Sequence, residues 1–180
     1  GFDAFHVEGA LWSTLFGLLY QDALFEPVHG MLPSPHLRAP IDLGTPEFRR
    51  RRASAVALIE NDIRRGLAGK RLSTAWDQRF GQDIVGVHWG LMTKTDLVRV
   101  ADGLPTDGLT SIMKTFSVDW WNAQRGWPDL VVLSSGPTPV RLVEVKGPSD
   151  SLRDAQRWWL ARLEQMGISN EVWSVVSIAG

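Results

Sequence analysis

The sequence predicts a mixed α/β fold, a sheet covered by helices. Two observations carry this. Up to about residue 124 the apolar residues recur mostly at helical spacing, whereas from residue 127 two short strand-like runs, a helical stretch and a third strand-like run follow in order. At 180 residues, with 44% apolar residues and nine Trp, the chain can fill one core but not two. That composition also excludes wholesale disorder.

His6 to Phe25 reads as the opening helix. Leu11, Leu15, Leu18, Leu19 and Phe25 lie at near-helical spacing, and Trp12 and Phe16 on other sides predict burial round most of its circumference. Pro33, Pro35 and Pro40 then break the chain. A second helix is predicted over Pro46 to Arg65, with Thr45 as N-cap, Pro46 and Glu47 in the first turn and Gly66 as terminator. Two or three shorter helices follow. One spans Thr93 to Ala101, and another Pro105 to Gln124 with Leu109, Ile112, Met113 and Phe116 as its core stripe.

Asp129 to Leu133 reads as a strand, Ser134 to Pro139 as a turn, and Val140 to Lys146 as a second strand. Gly147-Pro148 ends it. A helix is predicted over Ser149 to Met166 and a last strand over Glu171 to Ile178.

Composition narrows the function. Nineteen Lys plus Arg against 20 Asp plus Glu give a net charge of -1, which excludes a uniformly basic binder but permits a local basic face. The absence of Cys excludes a disulfide framework, a zinc finger and a thiol nucleophile. No apolar run reaches the roughly 18 residues of a membrane span, and no signal peptide is visible. The expected compartment is the cytoplasm in a bacterium or the nucleus in a eukaryote. The first residue is Gly1, so the chain reads as a piece of a longer protein.

The hairpin makes the sharpest statement about chemistry. With Ser134 to Pro139 as its loop, Leu133 pairs with Val140, and counting back sets Asp129 opposite Glu144. Directly opposite Cβ atoms lie about 4.5–5.5 Å apart, so the two carboxylates repel unless something offsets them. A divalent cation does so, and oxygen ligands suit Mg²⁺. Strand alternation puts Lys146 on the same face as Glu144. The same residues also read as an ordinary hairpin end, with Asp129 in a turn and Glu144 and Lys146 as a solvated pair.

One residue beyond the hairpin weighs on that choice. Gln156 falls in the apolar stripe Leu152, Trp159, Leu160 and Leu163, where an amide needs partners. The partners are either backbone groups or a ligand, a water or Lys146.

Gly126-Trp127-Pro128-Asp129, then Glu144-Val145-Lys146-Gly147-Pro148, then Gln156, resembles the PD-(D/E)xK nuclease superfamily and, within it, the VRR-NUC domain. Glu8-Gly9 with Thr14-Leu15-Phe16, Pro40-Ile41-Asp42-Leu43, and Leu142 through Asp150 extend the likeness along nearly the whole chain. They point to the Fanconi-associated nuclease group and its bacterial counterparts. The resemblance implies a restriction-endonuclease-like core over residues 1–180, with a helical insertion at about 33–115. It implies metal-dependent hydrolysis of DNA by Mg²⁺ or Mn²⁺ held by Glu8, Asp129, Glu144 and the Val145 carbonyl. Lys146 then serves the attacking water and the phosphate. By the same likeness the activity is that of a 5′-flap endonuclease and 5′-to-3′ exonuclease in repair of interstrand crosslinks, with DNA-binding segments upstream. A basic pocket for a 5′-phosphate is also implied, yet Trp120-Trp121 stand where another basic residue is expected.

For substrate contacts, Arg125 precedes Gly126, and Arg153 and Arg157 flank Gln156. Arg49 and Arg50 belong to the four-arginine run 49–52, which reads either as DNA contacts or as a solvated face paired with acids such as Glu47. Trp120, Trp121, Trp127, Trp158 and Trp159 cluster round the motif and read mostly as core, whereas an exposed Trp127 is a candidate for stacking on an unpaired base. The four His show no zinc-type spacing, and His6 reads as an ordinary helix-start residue. Two other functions compete with the flap nuclease: a non-catalytic DNA-binding or scaffold module on the same fold, and a nuclease selective for junctions or single strands.

Overall fold

The sheet of the computed structural model has four strands in the order β1 (Phe2–His6), β2 (Leu130–Ser134), β3 (Val140–Lys146) and β4 (Asn170–Ser174). Residues 1–32, 38–136 and 138–176 are described. The first three strands run antiparallel, and β4 returns parallel to β3. A parallel neighbour needs a crossover, which α9 (Asp154–Gln165) supplies.

Strand alternation sorts the sheet. Val131, Leu133, Val140 and Leu142 join the main core, while Val132 and Val143, also buried, belong to the other set of alternating positions. The core continues through α1 (Glu8–Leu19), in which every residue from Leu11 to Leu19 is buried. A short α2 (Gln21–Leu24) follows. Trp127 stacks between Trp12 of α1, at 4.3 Å, and Trp159 of α9, at 3.6 Å. This aromatic column fixes the motif loop between two helices. Trp127 is therefore a core residue, 3% exposed, as most of the clustered Trp were expected to be, and the alternative of an exposed Trp127 stacking on a base is corrected.

The helical part between α2 and β2 holds α3 (Pro46–Arg51), α4 (Ala53–Arg64), α5 (Ala68–Arg79), α6 (Lys94–Gly103), α7 (Thr106–Val118) and α8 (Trp120–Ala123). The helix expected over Pro46 to Arg65 is thus two. The break falls at Arg52, whose fully buried side chain turns inward to donate to Asp42 Oδ2 at 2.9 Å and lies over the Phe48 ring. A buried guanidinium needs such a partner. Likewise, the helix expected to Gln124 breaks at Asp119 between α7 and α8. The opening helix starts at Glu8 and not at His6, because residues 2–6 pair with β2. Pro33, Pro35, Pro137 and the end of the strand expected to Ile178 lie outside the described residues.

Arg49 also turns inward. Its Nη1 donates to Glu60 Oε1 at 2.6 Å and to Ser117 Oγ at 3.1 Å, and the Tyr20 hydroxyl donates to the same Glu60 oxygen at 3.1 Å. Burial alone would raise the Glu60 carboxyl; the hydrogen bond and charge of Arg49, with Tyr20 and Arg64, outweigh it and hold Glu60 below the usual carboxylate range. The expectation of Arg49 as a DNA contact is corrected accordingly, since its guanidinium is committed to the core. Arg49→Ala is expected to lose about 2–3 kcal/mol of stability in urea unfolding at neutral pH. A depressed carboxyl stabilises above its unfolded pKa and loses that contribution as pH falls through the folded one. The deficit of the variant should therefore shrink in acid.

Candidate active site

The hairpin ladder runs from Leu133↔Val140 to Leu130↔Val143, so one further step along the same register brings Asp129 to Glu144. Asp129 sits just past the ladder, and its carboxylate is not left bare. Oδ2 accepts the Val145 N–H at 2.8 Å, and the Asp129 carbonyl accepts from Val7 N at 2.9 Å and Glu8 N at 3.4 Å. One residue at the end of β2 thereby ties the β3 strand to the junction of β1 and α1.

Glu8 stands at that junction with φ 43°, the one non-glycine residue at positive φ among the described residues. Such a conformation costs on the order of 1–3 kcal/mol and persists only where the surroundings impose it. Gly9 next to it permits the close approach, because a Cβ there would stand 2.2 Å from the Gln124 carbonyl oxygen.

Glu144 is the buried member, its side chain 1% exposed. Its Oε1 lies 2.7 Å from Lys146 Nζ and accepts from Gln156 Nε2, while Oε2 is buried with no hydrogen-bond partner among the described residues. Burial raises the Glu144 carboxyl; the Lys146 hydrogen bond opposes this, and the charges of Asp129 and Glu8 add to it, leaving it above the usual range. An orphaned carboxylate oxygen in a cluster of like charges is the arrangement that a cation relieves.

Gln156 finds the partners its apolar stripe demanded. Its Oε1 accepts from Lys146 Nζ at 3.2 Å and from Arg153 N at 2.9 Å, so the amide clamps Lys146 and Glu144 to the first turn of α9. The approach of α9 to the motif loop depends on Gly126, at φ 80°, where a Cβ would meet the Ala155 Cβ at 2.7 Å. Gly126→Ala is expected to destabilise the fold by about 1–3 kcal/mol, read from thermal or urea unfolding, and to loosen that clamp.

Glu8, Asp129, Glu144, Val145, Lys146, Gln156, Arg125 and Arg153 line one cavity of about 690 Å³. Arg157 does not; its guanidinium donates to the Leu152 carbonyl at 2.6 Å and 3.1 Å. Arg50 is exposed, pairs with Glu47 three residues before it, and is likewise absent from the lining. A second cavity of about 590 Å³, lined by Leu104, Pro139 and Ile168 among others, has Glu164 as its one charged residue.

His6 was missed as a site residue. It ends β1, with Nε2 3.5 Å from Glu8 Oε1, and one ligand atom from each of His6, Glu8 and Asp129 lies within 4.8 Å of the others. Spacing in the sequence carries no signal of this, because the β1–β2 pairing that brings His6 alongside Leu130 is long-range. Together with the orphaned Glu144 oxygen, the donor set of carboxylates, a backbone carbonyl and an imidazole fits a divalent cation.

The VRR-NUC domain profile matches residues 64–177. This chain belongs to the VRR-NUC family. It is 33% identical over 99% of its length to the Fanconi-associated nuclease 1 homolog of Oryza sativa subsp. japonica, of which the alignment covers 19%. It is 32% identical over 86% of its length to the homolog of Pseudomonas aeruginosa, covering 28% of that protein. It is 33% identical over 99% of its length to human Fanconi-associated nuclease 1, covering 18%. The VRR-NUC chain thus spans less than a third of these relatives. Its structure superposes on paFAN1 bound to 5′-flap DNA of two nucleotides with a gap, with a TM-score of 0.87 and 29% identity over 98% of this chain and 33% of the other. The fold is the α/β nuclease fold of that protein, with the restriction-endonuclease-like sheet expected from the motif. Fold and family agree that this cavity lies in a VRR-NUC domain.

Proposed function

We propose that this VRR-NUC chain hydrolyses DNA phosphodiester bonds with Mg²⁺ or Mn²⁺, cutting 5′ flaps or trimming 5′ ends in repair such as that of interstrand crosslinks. It would act as one catalytic unit, residues 1–180 with the helical insertion, inside a longer protein whose upstream segments hold branched DNA. The corresponding compartment is the nucleus in a eukaryote and the cytoplasm in a bacterium. The observation that carries the reading is Glu144, buried with one oxygen on Lys146 and the other unpartnered, in the same cavity as Asp129 and Glu8.

Glu8, Asp129, Glu144 and the Val145 carbonyl would hold the cation, with His6 within reach on the outer side. A bound divalent ion supplies Lewis acidity and a water of lowered pKa. The chain's own groups do the rest. Lys146, fixed by Glu144 and Gln156, places a positive charge where the phosphate gains negative charge, and it does so without reorganising. The Val145 N–H keeps Asp129 oriented, and the Asp129 carbonyl keeps Glu8 turned to the same cavity. Arg125, exposed at the rim, suits the neighbouring phosphate. The attacking water forms a new P–O bond, the bond to the departing sugar oxygen breaks, and that oxygen takes up a proton.

The test is incubation of a 5′-labelled flap duplex with Mn²⁺, Mg²⁺ or EDTA, beside single-stranded and four-way-junction DNA. The reading expects metal-dependent cutting strongest on the flap. Equal cutting of all three substrates, or none of any, goes against it.

A further inference from the structure

A third cavity adjoins the one that holds Glu144 and Lys146. It has a volume of about 300 Å³ between the end of α7, α8 and α9, and Arg125 and Ala155 line both cavities. Trp159 and Trp158 form its aromatic side, with ring centroids 4.7 Å apart and planes at 81°. Trp159 is buried and donates its indole N–H to the Arg125 carbonyl at 2.9 Å, which fixes the strand-side rim to this wall. Trp158 is 51% exposed, with the Arg162 guanidinium 5.3 Å from its ring. Across the opening, Asp119 and Asn122 offer acceptors and donors, the Asn122 amide bonding to both Asp119 oxygens at 3.1 Å.

A half-exposed Trp beside the proposed catalytic cavity offers its face to an occupant that is flat and apolar on its faces and polar at its edges. Positive charge at the rim calls for that occupant to be joined to an anionic backbone. Arg125 has no side-chain partner among the described residues, and Arg153 stands exposed at the start of α9. No basic side chain other than Arg125 lines this cavity, which makes it a poor cradle for a terminal phosphate.

We infer that this cavity, walled by Trp158 and Trp159, takes the unpaired nucleobase next to the phosphate being cut. The inference rests on the nuclease reading above. Because the two cavities share Arg125 and Ala155, a strand whose phosphate lies at Lys146 passes Arg125, and its next unpaired base reaches the indole. Stacking on a π face tolerates any base, so the site would favour an unpaired nucleotide without reading its identity.

Fluorescence anisotropy with the 180-residue chain in Ca²⁺ tests this on duplexes carrying a one-nucleotide 5′ flap. The flap nucleotide is either thymidine or abasic, and its 5′ end either hydroxyl or phosphate. Wild type is expected to bind the abasic flap about tenfold more weakly. Trp158→Ala should bind both flaps at the abasic level, and Trp158→Phe should keep most of the difference, which separates stacking from a folding defect. A phosphate at the 5′ end should change little. Equal wild-type affinity for thymidine and abasic flaps, absence of binding, or a loss in Trp158→Ala that is the same for both flaps would overturn the inference. Mg²⁺-dependent cleavage of the same duplexes tests the nuclease reading separately, and cleavage indifferent to the abasic site sinks only the base pocket.

Discussion

Lys146→Ala is expected to lower flap cleavage at least about a thousandfold. A preorganised donor aimed at developing charge is worth about 10²–10³ in rate by itself. Here the loss goes further, because Lys146 also neutralises Glu144 and anchors the Gln156 amide. Without it, Glu144 keeps its burial and its like-charged neighbours but loses the group that opposes them, so its carboxyl should rise further. The proposed cation ligands all remain and Glu144 can become neutral by taking a proton, so the variant is expected to fold with reduced stability. Single-turnover cleavage at saturating Mn²⁺ checks the rate. Activity within tenfold of wild type would mean that Lys146 only balances charge.

Asp129→Ala is expected to remove cleavage to a similar extent by another route. The substitution deletes a proposed oxygen ligand of the cation and frees the Val145 N–H that Asp129 accepts at 2.8 Å. Its effect on folding should be small. It removes a carboxylate facing Glu144, which relieves repulsion, and Val145 is only half-buried, so water can reach the released N–H. The backbone bonds from Val7 and Glu8 to the Asp129 carbonyl do not depend on the side chain. Cleavage assays with circular dichroism check both halves. An unfolded Asp129→Ala protein would assign the residue a structural task instead, and the conservative Asp129→Asn, which keeps an acceptor for Val145, would then restore the fold without activity.

How much of this was legible in the sequence depended on range. The β2–β3 hairpin was, because a turn of fixed length sets its register and the register alone sets Asp129 against Glu144. Gln156 was legible too, as an amide out of place on an apolar stripe. The strand Phe2–His6 was not. It has no β-branched residue, is exposed at most positions and exists through pairing with β2 more than a hundred residues away. With it went His6, whose place beside Glu8 and Asp129 follows from that pairing. The arginine run misled for a related reason: four consecutive charges look solvated, yet Arg49 and Arg52 find Glu60 and Asp42 across the helical layer. Helix boundaries at Arg52 and Asp119 likewise answer to tertiary contacts and to backbone conformation that local propensity does not encode.

The buried, charge-crowded carboxylate cluster is expected to hold a divalent ion. Calorimetric titration of Mn²⁺ into wild type and Glu144→Gln at neutral pH tests it most directly. Wild type is expected to bind saturably, with a loss of at least about a hundredfold in Glu144→Gln, which keeps the shape and the hydrogen-bonding length of the side chain but not its charge. Unchanged Mn²⁺ affinity in that variant, or no binding to either protein, would contradict it.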